Sequence, residues 1–148
     1  MASNFNQFAA EGNVFLKEYA KQMNLGKDTQ KSWRILSAVL HALRDVISTE
    51  ESLQLISQFP MFLKAIYVNG WTKHKSKRVK TMKDFIGLVK KYDGLSSVRD
   101  FESDEVAENF INTTFIVLRQ YISLGEMEDL RSGLPKELKS MVYNNIMF

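Results

Sequence analysis

Apolar residues recur every three or four positions along most of the chain. In residues 29–47, Leu36, Leu40, Leu43 and Ile47 fall on one side of an α-helix. Further apolar residues widen this stripe: Trp33, Ile35, Val39 and Val46. A helix that is apolar around most of its circumference is typical of the centre of a bundle. The pattern therefore predicts a long, buried helix over residues 29–47.

The same pattern returns 75 residues later in the chain. The matching stripe consists of Ile111, Phe115, Leu118 and Ile122. When residues 39–69 are laid on 114–144 without a gap, 11 of 31 positions are identical. Upstream the offset changes to 70, which pairs Phe15 with Phe85. Two unrelated helices can match by chance, but an ungapped match of this length favours duplication, with the two long helices packed against each other.

Short polar residues mark where helices begin. Asp28 and Ser103 precede the two long helices, where a side-chain oxygen accepts an otherwise unpaired backbone N–H. Ser48 and Glu51 have the spacing of a capping box, in which each side chain accepts the backbone N–H of the other residue. Thr81 stands in a similar position before the apolar residues of the second copy. These signals predict four helix starts.

Prolines and glycines divide the remaining segments. Pro60 disfavours helical geometry in the preceding residue and suits the first turn of a new helix, predicted over residues 60–68. Asn69 and Gly70 supply a left-handed stop after that helix. Pro135 repeats the break in the second copy. The prolines are therefore interpreted as structural boundaries.

Together these signals predict an all-α fold, a compact helical bundle of about eight helical segments with internal pseudo-symmetry. We expect residues 1–148 to form a single domain built from two tandem copies of a helical unit. The first copy covers residues 12–71, a basic connector covers 72–81, and the second copy covers 82–144. Because each copy exposes a broad apolar face, neither is expected to hold its core alone.

The residues of the first copy carry a family resemblance. The segment "AVLHALRD", the break "QFP" and the ending "YVNGW" resemble motifs of the bacterial family catalogued as domain of unknown function 2267. The matching positions are Ala38, Val39, Leu40, Leu43, Arg44, Asp45, Gln58, Pro60, Tyr67, Gly70 and Trp71. The similarity covers roughly residues 15–142, with Phe59 in place of the usual leucine. The resemblance implies a duplicated, all-helical fold and implies no activity.

Composition excludes several classes of site. The chain has 148 residues, 45% of them hydrophobic and 25% charged, which is the balance of a globular protein. It contains no cysteine, so disulfides, thiolate metal sites and a cysteine nucleophile are excluded. No apolar run approaches the ~20 residues that span a bilayer, and the N-terminus does not resemble a signal peptide. We therefore expect a protein of the bacterial cytoplasm.

Positive charge is concentrated in one segment. Between Lys73 and Lys91 there are eight basic residues against Asp84 alone, a net charge of +7. The whole chain carries +3, so the remainder carries −4. This basic stretch could neutralise nucleic-acid phosphates or approach an anionic membrane surface. A solvated linker between the two copies explains the same charges.

The two histidines do not indicate a catalytic or metal site. His41 lies beside the buried stripe of the long helix, where a lone histidine is more often a packing residue than a ligand. His74 is surrounded by lysines, which disfavour a further positive charge. Neither has an acidic or histidine partner at a spacing that predicts zinc ligation or a catalytic triad. No glycine-rich phosphate loop is present. The sequence therefore predicts no catalytic residue, no metal ligand and no cofactor.

An acidic run partly matches the pattern of calcium-binding loops. Asp100, Glu102 and Asp104 have the alternate spacing of the first three ligands, but Glu105 occupies the position that requires glycine. Acidic side chains are also favourable at the positive N-terminal end of a helix, here capped by Ser103. Helix capping is the preferred interpretation.

Trp71 and the connector remain as candidates for contact with a partner. Trp71 either folds back after Gly70 to fill a gap in the structure or stands out as an interface anchor; the first interpretation is preferred. The candidate partner or phosphate contacts are Trp71, Lys73, Lys75, Lys77, Arg78 and Lys80. The expected function is a non-enzymatic interaction or scaffold module with a protein partner. The alternative is weak nucleic-acid or anionic-surface binding through the basic connector, residues 73–91.

Overall fold

The computed structural model describes residues 5–72 and 78–142. Every regular element assigned in these two segments is helical, as predicted, and none of these helices is long and apolar enough to cross a membrane. The α-helices are α1 (Asn6–Gln22), α2 (Thr29–Val46), α3 (Thr49–Ser57), α4 (Met61–Val68), α5 (Met82–Asp93), α6 (Ser97–Asp100), α7 (Asp104–Leu118), α8 (Leu124–Gly133) and α9 (Lys139–Val142). Short 3-10 helices span Gly94–Ser96, Arg119–Tyr121 and Lys136–Leu138.

The predicted helix starts are occupied by the expected side chains. Oδ1 of Asp28 accepts the N–H of Lys31 at 3.0 Å and caps α2. Oγ of Ser103 accepts the N–H of Val106 at 3.1 Å and caps α7. These bonds satisfy backbone donors that a helix leaves unpaired at its N-terminus. The structure therefore confirms both caps.

The capping box predicted at Ser48 is only half formed. Ser48 Oγ accepts the N–H of Glu51 at 3.1 Å, but the Glu51 side chain makes no return bond to the backbone of Ser48. It lies instead toward α8, with Oε1 3.7 Å from the place a Cβ would occupy on Gly133. A complete box forms at Thr81 and Asp84, where α5 begins. Packing against α8 has therefore overridden a local signal.

The predicted stops also have a backbone basis. Asn24 and Gly26 adopt left-handed φ values of 60° and 62° after α1, and Gly70 adopts 69° after α4. Pro60, with φ −66°, is the N-cap residue of α4. Pro135 precedes the 3-10 helix Lys136–Leu138, which continues directly into α9. The two prolines therefore both separate helices, although the second restart is tighter than the first.

The apolar stripes of α2 and α7 form the centre of the core. Leu36, Leu40 and Leu43 of α2 and Ile111 of α7 are fully buried. The two helices contact each other as expected, but α2 makes its most extensive contact with α5. Trp33, which was expected to widen the buried stripe, is 49% exposed. That part of the prediction is wrong, because helical spacing does not say which flank of α2 its neighbours cover.

Polar contacts tie together segments that are distant in the chain. The hydroxyl groups of Tyr19 and Thr114, 95 residues apart, lie 2.6 Å from each other in the core. Gln58 at the end of α3 accepts the N–H of Ser123 at 2.7 Å, at the start of α8. These contacts join elements of the first and second predicted copies.

Candidate functional site

The residues of the family motif meet where α2 supports the C-terminal end of α4. Nη1 of Arg44 donates to the carbonyl oxygens of Tyr67 at 2.6 Å and Asn69 at 2.8 Å. Arg44 is buried, with only 6% of its surface exposed. The last carbonyls of a helix lack partners within it and carry partial negative charge, so a cation is favourable there. Arg44 therefore closes α4, a role that motif spacing alone did not indicate.

His41 and Asp45 lie at the same junction, the contact of α2 with the C-terminal end of α4. The Nε2–H of His41 donates to the carbonyl oxygen of Ile66 at 2.7 Å, which assigns the proton to that nitrogen. Burial lowers the pKa of His41, partly offset by this backbone bond. The Tyr92 hydroxyl of α5 donates to Asp45, and its ring meets the His41 ring edge-on at 5.7 Å. His41 thus has the packing role expected from the sequence, whereas His74 lies outside the described residues.

Trp71 packs on this junction from one side. Its ring meets the buried Tyr67 ring edge-on at 5.7 Å, and its backbone N–H donates to Val68 at 3.1 Å. The side chain is half-buried and contacts the main core. Trp71 therefore packs against the core as the preferred interpretation expected, although its side chain is not fully buried, and its role as an interface anchor stays a prediction.

Replacing Trp71 by alanine is expected to lower the free energy of unfolding by about 1–2 kcal/mol, because a half-buried indole loses part of its apolar contact area. Urea unfolding with an unchanged m-value measures the difference. Trp33→Ala is the matched control, and its cost is expected to be the smaller of the two. A Trp71 variant as stable as the parent chain would contradict its packing role.

The structure describes part of the basic connector. Arg78 and Lys80 are exposed, as expected for phosphate contacts. The backbone N–H groups of Lys80 and Thr81 donate to Oδ2 of Asp84 at 3.1 and 3.2 Å, and these bonds lower the pKa of Asp84. The connector is therefore bonded to the start of α5. The other three predicted contacts, Lys73, Lys75 and Lys77, lie outside the described residues.

A cluster missed by sequence reasoning links α2 with α5 and α6. Nε and Nη2 of Arg34 donate to both carboxylate oxygens of Asp100, at 3.0 and 2.9 Å. Burial and the neighbouring Asp100 carboxylate raise the pKa of Asp93 to about 7. Burial also opposes ionisation of Asp100, but Arg34 holds the pKa of Asp100 below its usual value. Asp100 is therefore an ion-pair partner, and a separation of 66 residues gives no sequence signal for it.

A second acidic group lies between α3 and α8. Glu126 is buried, and its Oε2 has no hydrogen-bond partner among the described residues. Burial, together with the nearby Glu51 and Asp129, raises the pKa of Glu126 to about 7. In the part of the chain that the structure describes, no three acidic or histidine side chains are arranged to hold a metal ion. The raised pKa links the ionisation of Glu126 to the stability of the fold.

The raised pKa of Glu126 gives a pH prediction with a definite sign. From about pH 4.5 to 7 the folded protein holds a proton that the unfolded chain releases, so this residue's contribution to stability falls as the pH rises through that window. Glu126→Gln removes this part of the decline, so the variant should have the higher melting temperature above pH 7. Thermal melts from pH 4 to 8 measure this difference in melting temperature.

The exposed Glu108→Gln is the control and should retain the pH profile of the parent chain. A Glu126 variant that also retains the parent profile would contradict the assignment. Asp93 titrates near the same pH in every variant, so the difference isolates Glu126.

An open groove runs beside the contact of α1 with α7 and the following 3-10 helix. Its volume is about 300 Å³, and its lining residues are Glu11, Val14, Phe15, Glu18, Val117, Gln120 and Tyr121. The Phe15 and Tyr121 rings lie 5.8 Å apart in its floor. Val14 is 70% exposed. The spacing of Glu11, Val14, Phe15 and Glu18 places them on one helical face, but only the position of α7 makes that face one wall of a groove.

Comparison with known proteins gives one family. The family model described as "Uncharacterized conserved protein (DUF2267)" matches residues 12–141. No curated protein matches the chain. The family resemblance predicted from the first-copy motifs is therefore confirmed.

Proposed function

This chain belongs to the DUF2267 family, and on that premise we propose that it is a non-enzymatic interaction or scaffold module of the bacterial cytoplasm. The family description names no activity, so the proposal depends on the molecule's own surfaces. The observation that carries it is the groove between α1 and α7, which combines an apolar floor with a large exposed apolar side chain, Val14. Concave apolar surfaces with a few polar groups are typical of binding sites.

Two polar residues of the family motif, Arg44 and Asp45, and the neighbouring His41 support this choice by their partners. Arg44 and His41 donate to backbone carbonyls of α4 and the residue that follows it, and Asp45 accepts from Tyr92. These groups position helices, and their hydrogen bonds stay within the chain. A catalytic group instead needs to reach a substrate atom. The motif residues therefore have a structural role, and the groove is the better candidate for a binding site.

We also propose that the fold is the tandem repeat expected from the sequence. Arg44 donates to the carbonyl of Tyr67, and 75 residues later Arg119 donates to the carbonyl of Val142. The caps and breaks recur at the same offset: Ser48 with Ser123, and Pro60 with Pro135. Equivalent positions thus make equivalent bonds, which supports duplication.

The repeat suggests why the groove is open. At the offsets of 70 and 75, the contact of α1 with α7 corresponds to that of α5 with α2. Tyr92 fills the contact of α5 with α2, where its hydroxyl donates to Asp45 and its ring meets the His41 ring edge-on. Gln22, Gln120 and Ile116 stand at the corresponding sequence positions, and Gln120 lines the groove. The aromatic and charged side chains that fill the α5–α2 contact are therefore replaced by other residues at the α1–α7 contact. The groove there leaves room for a partner to bind.

Position-specific photo-crosslinking tests the interaction proposal. A photoreactive benzoylphenylalanine is placed at Val14 in the full chain, expressed in its host, and compared with the same residue at Leu53, an exposed apolar position of α3. We expect one dominant crosslinked protein from position 14, competed by excess parent chain, and none from position 53. Identical products from both positions, or none from position 14, would reject the groove as the binding site.

The second candidate function is nucleic-acid binding through the basic connector, residues 73–91. The observation that favours it is the exposure of Arg78, Lys80 and Lys83, near the start of α5. Their replacement by alanine should weaken binding to short duplex and single-stranded nucleic acid and reduce its salt dependence by about three charges. Alanine at Lys17, Lys21 and Lys27, also exposed, is the charge-matched control. Absence of binding at about 50 mM salt, or binding only to anionic vesicles, would reject this candidate.

A further inference from the structure

We propose that the groove between α1 and α7 receives an α-helical segment of a partner protein whose apolar face is flanked by lysine or arginine. This inference rests on the proposed interaction function and adds the chemistry of the partner.

The floor of the groove sets the apolar part of the partner. Val14, Phe15, Val117 and Tyr121 supply its apolar surface, and the volume of about 300 Å³ lies at the small end of the range for binding cavities. That space suits a few aliphatic side chains arranged along one face. Burial of Val14, now 70% exposed, would contribute favourable apolar contact area.

The groove walls favour a helical partner over an extended one. Among the described residues every regular element is a helix, so the backbone beside the groove offers no sheet edge to which an extended peptide could add. An amphipathic helix satisfies its own backbone groups and places apolar residues at positions i, i+3, i+4 and i+7 into such a groove. The shape therefore favours the helix-in-groove mode of recognition.

The rim of the groove sets the charge of the partner. Its charged lining residues are Glu11 and Glu18, both carboxylates. They stand seven residues apart on α1, about 10 Å along the helix, so cations two turns apart on a partner helix can pair with both. Burial and the nearby Glu11 raise the pKa of Tyr121, so the negative field extends to the floor. At these two positions of the rim, carboxylates disfavour phosphate groups and acidic side chains.

Aromatic rings add a second preference for cations. Tyr121 is part of a cluster in which its ring lies 5.8 Å from Phe15 and 6.1 Å from Phe62. Tyr121 is partly buried and lines the groove. A lysine or arginine over an exposed aromatic face gains attraction from the ring's electron density.

Two synthetic peptides test the inference against the full-length chain. Both are amphipathic helices of about 14 residues that carry leucine at positions i, i+3, i+4 and i+7. One peptide has lysine at the positions that flank the leucines, and the other has glutamate there. Fluorescence anisotropy measures binding. We expect the lysine peptide to bind at least about tenfold more tightly than the glutamate peptide, because only the former pairs with the rim carboxylates.

Matched variants locate the effect. Glu11→Gln with Glu18→Gln should weaken the lysine peptide about fivefold or more at low salt, whereas Glu105→Gln with Glu108→Gln, on the exposed side of α7, should leave its affinity unchanged. Helical circular dichroism confirms that each variant is folded. Equal affinity for the two peptides, no binding of the lysine peptide, or equal effects of the two variant pairs would each overturn the inference.

The peptide outcomes and the crosslinking outcomes separate the two proposals. A specific crosslink from position 14 together with no peptide charge preference would leave the interaction function standing and reject the basic partner. Loss of the crosslink itself would reject the interaction function at this site.

Discussion

Replacing Arg44 by methionine is expected to lower the free energy of unfolding by about 3 kcal/mol, because the carbonyls of Tyr67 and Asn69 lose a charged donor. Methionine fills much of the same volume, so the cost comes from the stranded carbonyls rather than from a cavity. Removing one partner of a buried polar contact leaves the other desolvated and unpaired. Urea unfolding of the variant and the parent chain measures the difference.

Arg119, which stands 75 residues after Arg44, supplies the control for this prediction. Arg119 also donates to a backbone carbonyl, that of Val142, but it is exposed whereas Arg44 is buried. Water can therefore replace the lost bond, and Arg119→Met is expected to cost about 1 kcal/mol. Equal costs at the two positions would show that burial does not decide the effect, and a negligible cost for Arg44→Met would refute its closing role.

The second large effect is expected at Tyr19. This residue of α1 is fully buried, and its hydroxyl contacts Thr114 of α7 at 2.6 Å. Truncating a buried aromatic side chain leaves a cavity, so Tyr19→Ala should cost about 3–5 kcal/mol. Because α1 and α7 belong to opposite halves, the loss should appear in one cooperative transition rather than in a separate melting of one half.

Tyr19→Phe separates the ring from the hydroxyl. The Thr114 hydroxyl donates to the carbonyl of Phe110 at 2.7 Å, so the Tyr19 hydroxyl is the donor to Thr114. Removing that one hydrogen bond is expected to cost about 1 kcal/mol, a minor part of the alanine effect. Both variants are measured by urea unfolding at pH 7. Equal losses in the phenylalanine and alanine variants would show that the bond, and not the packing, dominates.

Local signals predicted the helical elements well. Asp28 and Ser103 cap α2 and α7, Pro60 starts α4 and Gly70 ends it. Each of these features depends on the geometry of a few neighbouring residues, which is why one chain segment contains the whole signal. The half-formed box at Ser48 shows the limit, since Glu51 is drawn toward α8 by packing that its own segment does not encode.

The candidate sites were predicted less completely. The sequence directed attention to Trp71 and the connector, and the structure shows Trp71 half-buried with Arg78 and Lys80 exposed. The sequence did not indicate the groove or the Asp93–Asp100 pair. Those features join residues from separate elements, and residue spacing carries no information about how such elements come together. The connector's role and the cytoplasmic location stay predictions.

By itself the sequence determined the helical class, most helix boundaries, the apolar stripes and the family, because capping, proline geometry and helical periodicity act within a few residues. Only the tertiary structure decided that Arg44 closes α4, that Trp33 faces solvent, and that a groove lined by Glu11 and Glu18 lies beside the contact of α1 with α7. These outcomes depend on how helices pack. Packing is set by the fit of whole surfaces, which no single segment of the chain specifies.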